Sequence, residues 1–149
     1  MDKMEFSKNQ IPQISQNLLF KILKIKRGNA MVLAFSGDLG AGKTTLTQEI
    51  ALQFGIKENV VSPTFVIMKI YKISSSSKYY SHFKKLIHID AYRIEKEEEL
   101  SYLGWDEIIS DKDNLVIIEW PEKVKKIIPK SAINIFLSHI DEETRAIRY

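Results

Sequence analysis

The sequence predicts an α/β fold, with helices layered on a mostly parallel central sheet and antiparallel strands added to it. Three observations predict it. Short apolar runs alternate with segments of helical periodicity along the chain. A glycine-rich stretch at 37–42 separates one such run from one such helix. Residues 65–91 hold two strand-like segments with no helix between them, which calls for an antiparallel pairing.

The elements follow in order. Ile11, Ile14, Leu18, Leu19, Ile22 and Leu23 recur at spacings of three and four, the stripe of an amphipathic helix. Pro12 suits its first turn, and Gly28 ends it after Lys24, Lys26 and Arg27. Those cations suit a helix C-terminus, where they offset the dipole, better than a nucleic-acid contact. MVLAFS (31–36) reads as a buried strand, and a helix follows from Lys43 to Phe54 with Gly55 as its cap. Pro63 keeps 60–64 extended, and Phe65 to Ile73 has the β-branched and aromatic content of a strand. Ser74 to Ser81 is a serine-rich flexible hairpin tip or loop. LIHIDA (86–91) is a strand, Glu95 to Leu103 an acidic helix, and LVIIEW (115–120) another strand. Pro121 opens a short helix carrying Lys123, Lys125 and Lys126. Ala132–Leu137 and Arg145–Tyr149 are two last strands, joined by the turn at 141–143.

Composition narrows the function. The 149 residues suit one domain spanning 1–149. A net charge of +3 permits an anionic partner without demanding one. With no cysteine, a disulfide scaffold, a thiolate metal site and a thiol nucleophile are excluded. No apolar run approaches the ~18 residues of a membrane span, and MDKMEFSKNQ has no apolar signal-peptide core. The expected location is the cytoplasm, away from any membrane.

The segment Gly37-Asp38-Leu39-Gly40-Ala41-Gly42-Lys43-Thr44 matches G-x-x-x-x-G-K-[ST], and it follows a strand and opens a helix. Glycines let the backbone approach an anion closely. Successive N–H groups and the helix N-terminus then face the phosphate oxygens. Lys43 would reach the β- and γ-phosphates, and the Thr44 hydroxyl would ligate Mg²⁺, a hard cation that takes oxygen. ATP and Mg²⁺ are the cofactors this implies. Hydrolysis further needs an acid near the metal and a group that places water. Asp90 and Glu119 each end an apolar strand, and alternation sets Leu86, His88 and Asp90 on one face. Spacing alone does not rank the two acids. Trp120 suits either the nucleotide or the core. His88 reads as a buried, hydrogen-bonded histidine rather than a catalytic one, and His82 and His139 as surface residues. The acidic run at Glu95, Glu97, Glu98 and Glu99 reads as a solvated helix start.

GDLGAGKTT (37–45), SPTF (62–65), HIDAYR (88–93) and IEWPE (118–122) occur in this order. Together they closely resemble the TsaE family of small bacterial P-loop ATPases, also called YjeE or YdiB, over most of the chain. The resemblance implies a P-loop NTPase fold and a part in making N6-threonylcarbamoyladenosine in tRNAs that read codons beginning with A. It implies binding to the TsaB–TsaD heterodimer, which modifies the tRNA, so that contact with tRNA is indirect. ATP hydrolysis, slow in isolation, would sustain turnover of that pair.

The resemblance also implies residue roles. Lys43 and the backbone of Asp38, Leu39, Gly40, Ala41, Gly42, Thr44 and Thr45 match the phosphate loop. Thr44 and Glu119 match the Mg²⁺ ligands. Asp90 matches an acid needed for hydrolysis. Thr64 lies in a switch-like loop facing the γ-phosphate, Trp120 matches an aromatic beside the nucleotide, and Arg145 matches, more loosely, a C-terminal arginine near it. The N-terminal segment departs from the family: MEFSKNQIPQIS offers Ser7 and Ser15 but no threonine to hold the nucleotide. Two rivals use the same loop. A small-molecule kinase would need an arginine-rich lid, and the chain has only Arg27, Arg93, Arg145 and Arg148. A nucleotide-dependent binding module would capture its partner without needing hydrolysis.

Overall fold

The computed structural model describes residues 2–149. Its centre is β2 (Met31–Ser36), the apolar run read from the sequence with those same bounds. β2 pairs in parallel with β5 (Asn114–Glu119) on one side and β6 (Ile133–His139) on the other. β4 (Lys85–Asp90) extends the parallel set beyond β5. β3 (Met68–Lys72) then closes that edge antiparallel to β4, the pairing expected within 65–91. The other edge is antiparallel too: β7 (Thr144–Arg148) lies against β6, and β1 (Met4–Ser7) lies against β7. The sheet order is β1-β7-β6-β2-β5-β4-β3. The parallel part is thus the middle, and the antiparallel strands are more extensive than the sequence predicts.

Helices cover both faces. α1 (Ile11–Leu23) and α2 (Lys43–Gln53) bury Leu18, Leu19, Ile22, Leu46 and Ile50 against Leu33, Phe35, Leu86, Leu115 and Ile117 of the sheet. On the opposite face, α3 (Glu98–Tyr102) and α4 (Trp105–Ser110) set Leu100, Trp105 and Ile108 against Val32, Ala34, Ile87, Val116 and Ile118. Along each of these strands, successive residues go to opposite layers, as a two-residue period requires.

Besides β1, which the sequence reading does not contain, four elements depart from expectation. The strand expected from Phe65 starts only at Met68, because Val66 and Ile67 donate their N–H groups to Pro63 O and make a turn. Ile67 there takes a φ of 68°, unusual for a β-branched residue. The acidic helix shrinks to α3, and the residues expected to begin it form a turn before it, in which Glu99 Oε2 accepts the N–H groups of Glu95 (2.8 Å) and Lys96 (2.9 Å). Gly104, at φ 84°, breaks it and opens α4, which periodicity did not reveal. The helix expected after Pro121 is a single 3-10 turn, Pro121–Val124, with Lys125 and Lys126 outside it. The serine-rich stretch 74–81 joins β3 to β4 as expected, but Tyr79 within it is buried against Phe54, as is Phe83 just beyond it.

Candidate functional site

The carboxyl ends of the central parallel strands open onto one cleft of about 680 Å³. This is where ligands bind in open α/β sheets. The loop between β2 and α2 forms its floor. Gly37, Gly40 and Gly42 take φ values of 147°, 79° and 103°, which side chains resist. Gly37 is also packed: a Cβ there would run into Leu137 O and sit 3.1 Å from Ala41 Cβ. Gly37→Ala is expected to cost about 2–3 kcal/mol. A melting curve should show Tm lowered by about 4–12 °C.

Lys43 is the first residue of α2, and its side chain is 5% exposed. Its Nζ donates to Gly37 O and to Asp38 O, the latter at 3.0 Å, and lies 4.4 Å from the Trp120 ring centroid. Burial lowers its pKa from 10.5, outweighing the upward pull of Glu119, Glu122, Asp90 and Asp38. Thr44 Oγ1 donates to Glu119 Oε1 at 3.1 Å. Glu119 ends β5 and Asp90 ends β4, directly opposite each other in register. Both are 3% exposed.

Asp90 is spoken for on both oxygens. Oδ2 accepts from Ser62 Oγ (2.9 Å) and Thr64 Oγ1 (2.7 Å), and Oδ1 accepts from the Tyr92 N–H (3.0 Å). The SPTF segment is therefore pinned to Asp90 by two hydroxyls. Trp120 lines the cleft and also packs on the α3–α4 core. Its φ of 57° places it in the left-handed region right at the site, a conformation that costs of order 1–3 kcal/mol. Arg145 lines the cleft, its guanidinium held by Asp141 O (2.6 Å) and Thr144 O (3.0 Å).

The structure thus brings Leu39 to Thr45, Thr64, Asp90, Glu119, Trp120 and Arg145 around one space, whereas Asp38 does not line it and meets the site through its carbonyl, which accepts from Lys43 Nζ. Leu39, Gly40, Ala41, Gly42, Thr44 and Thr45 all line it. The serines of the N-terminal segment are spent elsewhere. Ser7 bonds Asn9 and Gln10, and Ser15 is buried against Gln53. That segment instead presents Phe6, Lys8 and Ile11 to the cleft. Sequence reasoning also passed over Ser62, although it stands in the SPTF segment two residues from Thr64. His88 proves fully buried and hydrogen-bonded, with Nε2 at 3.0 Å from Glu119 Oε1. His82 and His139 are exposed, as expected.

No group of three or more His, Cys, Asp or Glu suited to a metal occurs among the described residues. The oxygen pair Thr44 and Glu119 still fits Mg²⁺, which takes few protein ligands and completes its shell with phosphates and water. No helix among the described residues is long and apolar enough to cross a membrane.

The family model for "Threonylcarbamoyl adenosine biosynthesis protein TsaE" matches residues 7–147. The tRNA threonylcarbamoyladenosine biosynthesis protein TsaE of Haemophilus influenzae is 34% identical over 121 residues, which is 81% of this chain and 71% of that protein. The protein of the same name from Rickettsia felis is 36% identical over 115 residues, 76% of this chain but only 61% of that longer relative. The crystal structure of Bacillus subtilis YdiB superposes with a TM-score of 0.68 at 25% identity, covering 98% of this chain and 83% of YdiB. A P-loop fold, a glycine loop with its lysine and threonine, and a match along nearly the whole length lead to one conclusion: the chain belongs to the TsaE family.

Proposed function

We propose that this protein is a cytoplasmic P-loop ATPase that binds ATP with Mg²⁺ and hydrolyses it slowly by itself. It serves tRNA N6-threonylcarbamoyladenosine formation by sustaining turnover of a TsaB–TsaD heterodimer. One observation carries the reading: Lys43, the Thr44–Glu119 pair and Asp90 converge on the glycine loop in a single cleft. The names of its relatives support the pathway.

In this reading the loop N–H groups and Lys43 hold the phosphates, and Thr44 and Glu119 hold the cation. Mg²⁺, when bound, neutralises charge that develops on the phosphate oxygens. Asp90 orients the attacking water by accepting a hydrogen bond from it. To do so its Oδ2 must be released, wholly or in part, by Ser62 and Thr64. Slow turnover in isolation follows from that pinned arrangement and from the scarcity of cations. Among the described residues lining the cleft they are Lys8, Lys43 and Arg145, and Arg145 is already engaged with two carbonyls. A small-molecule kinase remains the rival reading, without an arginine-rich lid to support it.

The test is ATP hydrolysis with Mg²⁺, with and without the cognate TsaB–TsaD pair and tRNA. Stimulation by the pair, lost in Lys43→Ala, is the expected result. Hydrolysis indifferent to the pair, or phosphoryl transfer to another acceptor, overturns the pathway assignment.

A further inference from the structure

We propose that His88 is a positioning residue that holds the Glu119 carboxylate in its metal-binding orientation, an inference that rests on the ATPase reading above. His88 lies on β4 two residues before Asp90 and on the same face. Its backbone faces Ile117, and its ring reaches diagonally across the parallel pair to Glu119. Nε2 is the donor in any arrangement that leaves Glu119 a carboxylate. The opposite nitrogen, Nδ1, is buried and has no hydrogen-bond partner among the described residues. A half-satisfied imidazole is a poor choice for filling a core, because an unpaired buried polar atom is costly. Leucine would fill the space without that penalty. What leucine could not supply is the bond to Glu119.

That bond matters because of how Glu119 is held. Oε1 receives two hydrogen bonds, from Thr44 Oγ1 and from His88 Nε2. Oε2 makes none among the described residues, and the carboxylate lines the cleft. Thr44 can turn a hydroxyl lone pair to a cation and keep donating its O–H to Oε1, but it stands at the rim of the cation site, whereas His88 anchors the same oxygen from within the sheet. His88 and Glu119 sit on β4 and β5, which pair directly in parallel, so the two side chains are held by the sheet itself. Groups behind a metal ligand commonly affect metal affinity or activity about 10–100-fold when removed.

Three variants separate positioning from packing. His88→Leu removes the donor and keeps an apolar filling. His88→Gln returns an amide N–H near the position of Nε2. His88→Asn is as polar, but its amide reaches only as far as Nδ1. The readouts are Mn²⁺ affinity of the protein–ADP complex by electron paramagnetic resonance, the Mg²⁺ dependence of hydrolysis split into KM and kcat, and fluorescent ADP binding in EDTA.

Leu and Asn are expected to weaken Mn²⁺ binding about 10–100-fold and to raise the KM for Mg²⁺. They should leave metal-free ADP binding within about twofold of wild type, and Gln should restore Mn²⁺ affinity to within about threefold. Wild-type Mn²⁺ affinity in a folded His88→Leu protein overturns the proposal. Should the Leu variant fail to fold, equal Mn²⁺ affinity in Gln and Asn overturns it instead. A wild-type protein that binds neither ADP nor Mn²⁺–ADP overturns the ATPase reading itself, a distinct outcome.

Discussion

Lys43→Ala is expected to weaken ATP binding by about 10–100-fold, enough to abolish tight binding. A charged hydrogen-bond donor to an anion contributes roughly 1.5–3 kcal/mol, and each 1.4 kcal/mol is tenfold. The lysine starts from a buried position on Gly37 O and Asp38 O, over the Trp120 ring. Its ammonium is therefore already at the floor of the cleft when phosphate arrives. Burial holds its pKa below 10.5 in the free protein, whereas a bound polyphosphate favours the charged form. ATP binding at alkaline pH should then take up a proton, and affinity should fall as pH rises through the lowered value. The stability effect has the opposite sign. Between the lowered value and 10.5 the unfolded chain binds the extra proton, so this group adds stability as pH rises through that window. Calorimetry in two buffers of different ionisation enthalpy measures the proton uptake, which Lys43→Ala should lose. Proton uptake that survives in the variant would assign it to another group.

How much of this could be read from the chain depended on how local each determinant is. β2 and β5 are continuous apolar runs, and their bounds in the structure match the sequence reading or shift by one residue. The phosphate loop is local as well, since its function lies in the order of its own residues. β1 was invisible because it is four residues long with one buried side chain, Phe6, and exists through its pairing with β7. α4 was missed because six residues, Trp105–Ser110, span too few turns to show a period. Phe65 and Val66 have strand-forming side chains but serve the turn that brings Ser62 and Thr64 to Asp90, and Phe65 is left 84% exposed. Local propensity lost there to a contact between segments 26 and 28 residues apart in sequence. His88 is similar: alternation placed it on the face of Asp90, but its partner lies 31 residues away. The sequence could name the acids, and only the assembled sheet shows what holds each of them.

Those different surroundings make Asp90→Asn the sharpest test of the division of labour between the two carboxylates. The variant is expected to bind ATP with Mg²⁺ within a few-fold of wild type while hydrolysis falls by about 10²–10⁴-fold, the usual effect of losing a positioned acid or base. The fold around it should survive. The amide oxygen of the substituted side chain can still accept from the Tyr92 N–H, and its NH₂ group, in place of Oδ2, can donate to the Ser62 and Thr64 oxygens that now donate to Asp90. What disappears is an acceptor for water. Glu119→Ala should behave differently, since it removes the oxygen pair with Thr44. Its loss should appear first as weakened Mg²⁺ dependence, with metal-free nucleotide binding preserved. Single-turnover hydrolysis at saturating Mg²⁺, beside a Mg²⁺ titration of each variant, separates the two. Unchanged turnover in Asp90→Asn would reduce Asp90 to an anchor for the SPTF turn and move the placement of water to another group in the cleft. Unchanged Mg²⁺ dependence in Glu119→Ala would remove the metal from that carboxylate, and with it the reason for His88 to hold it.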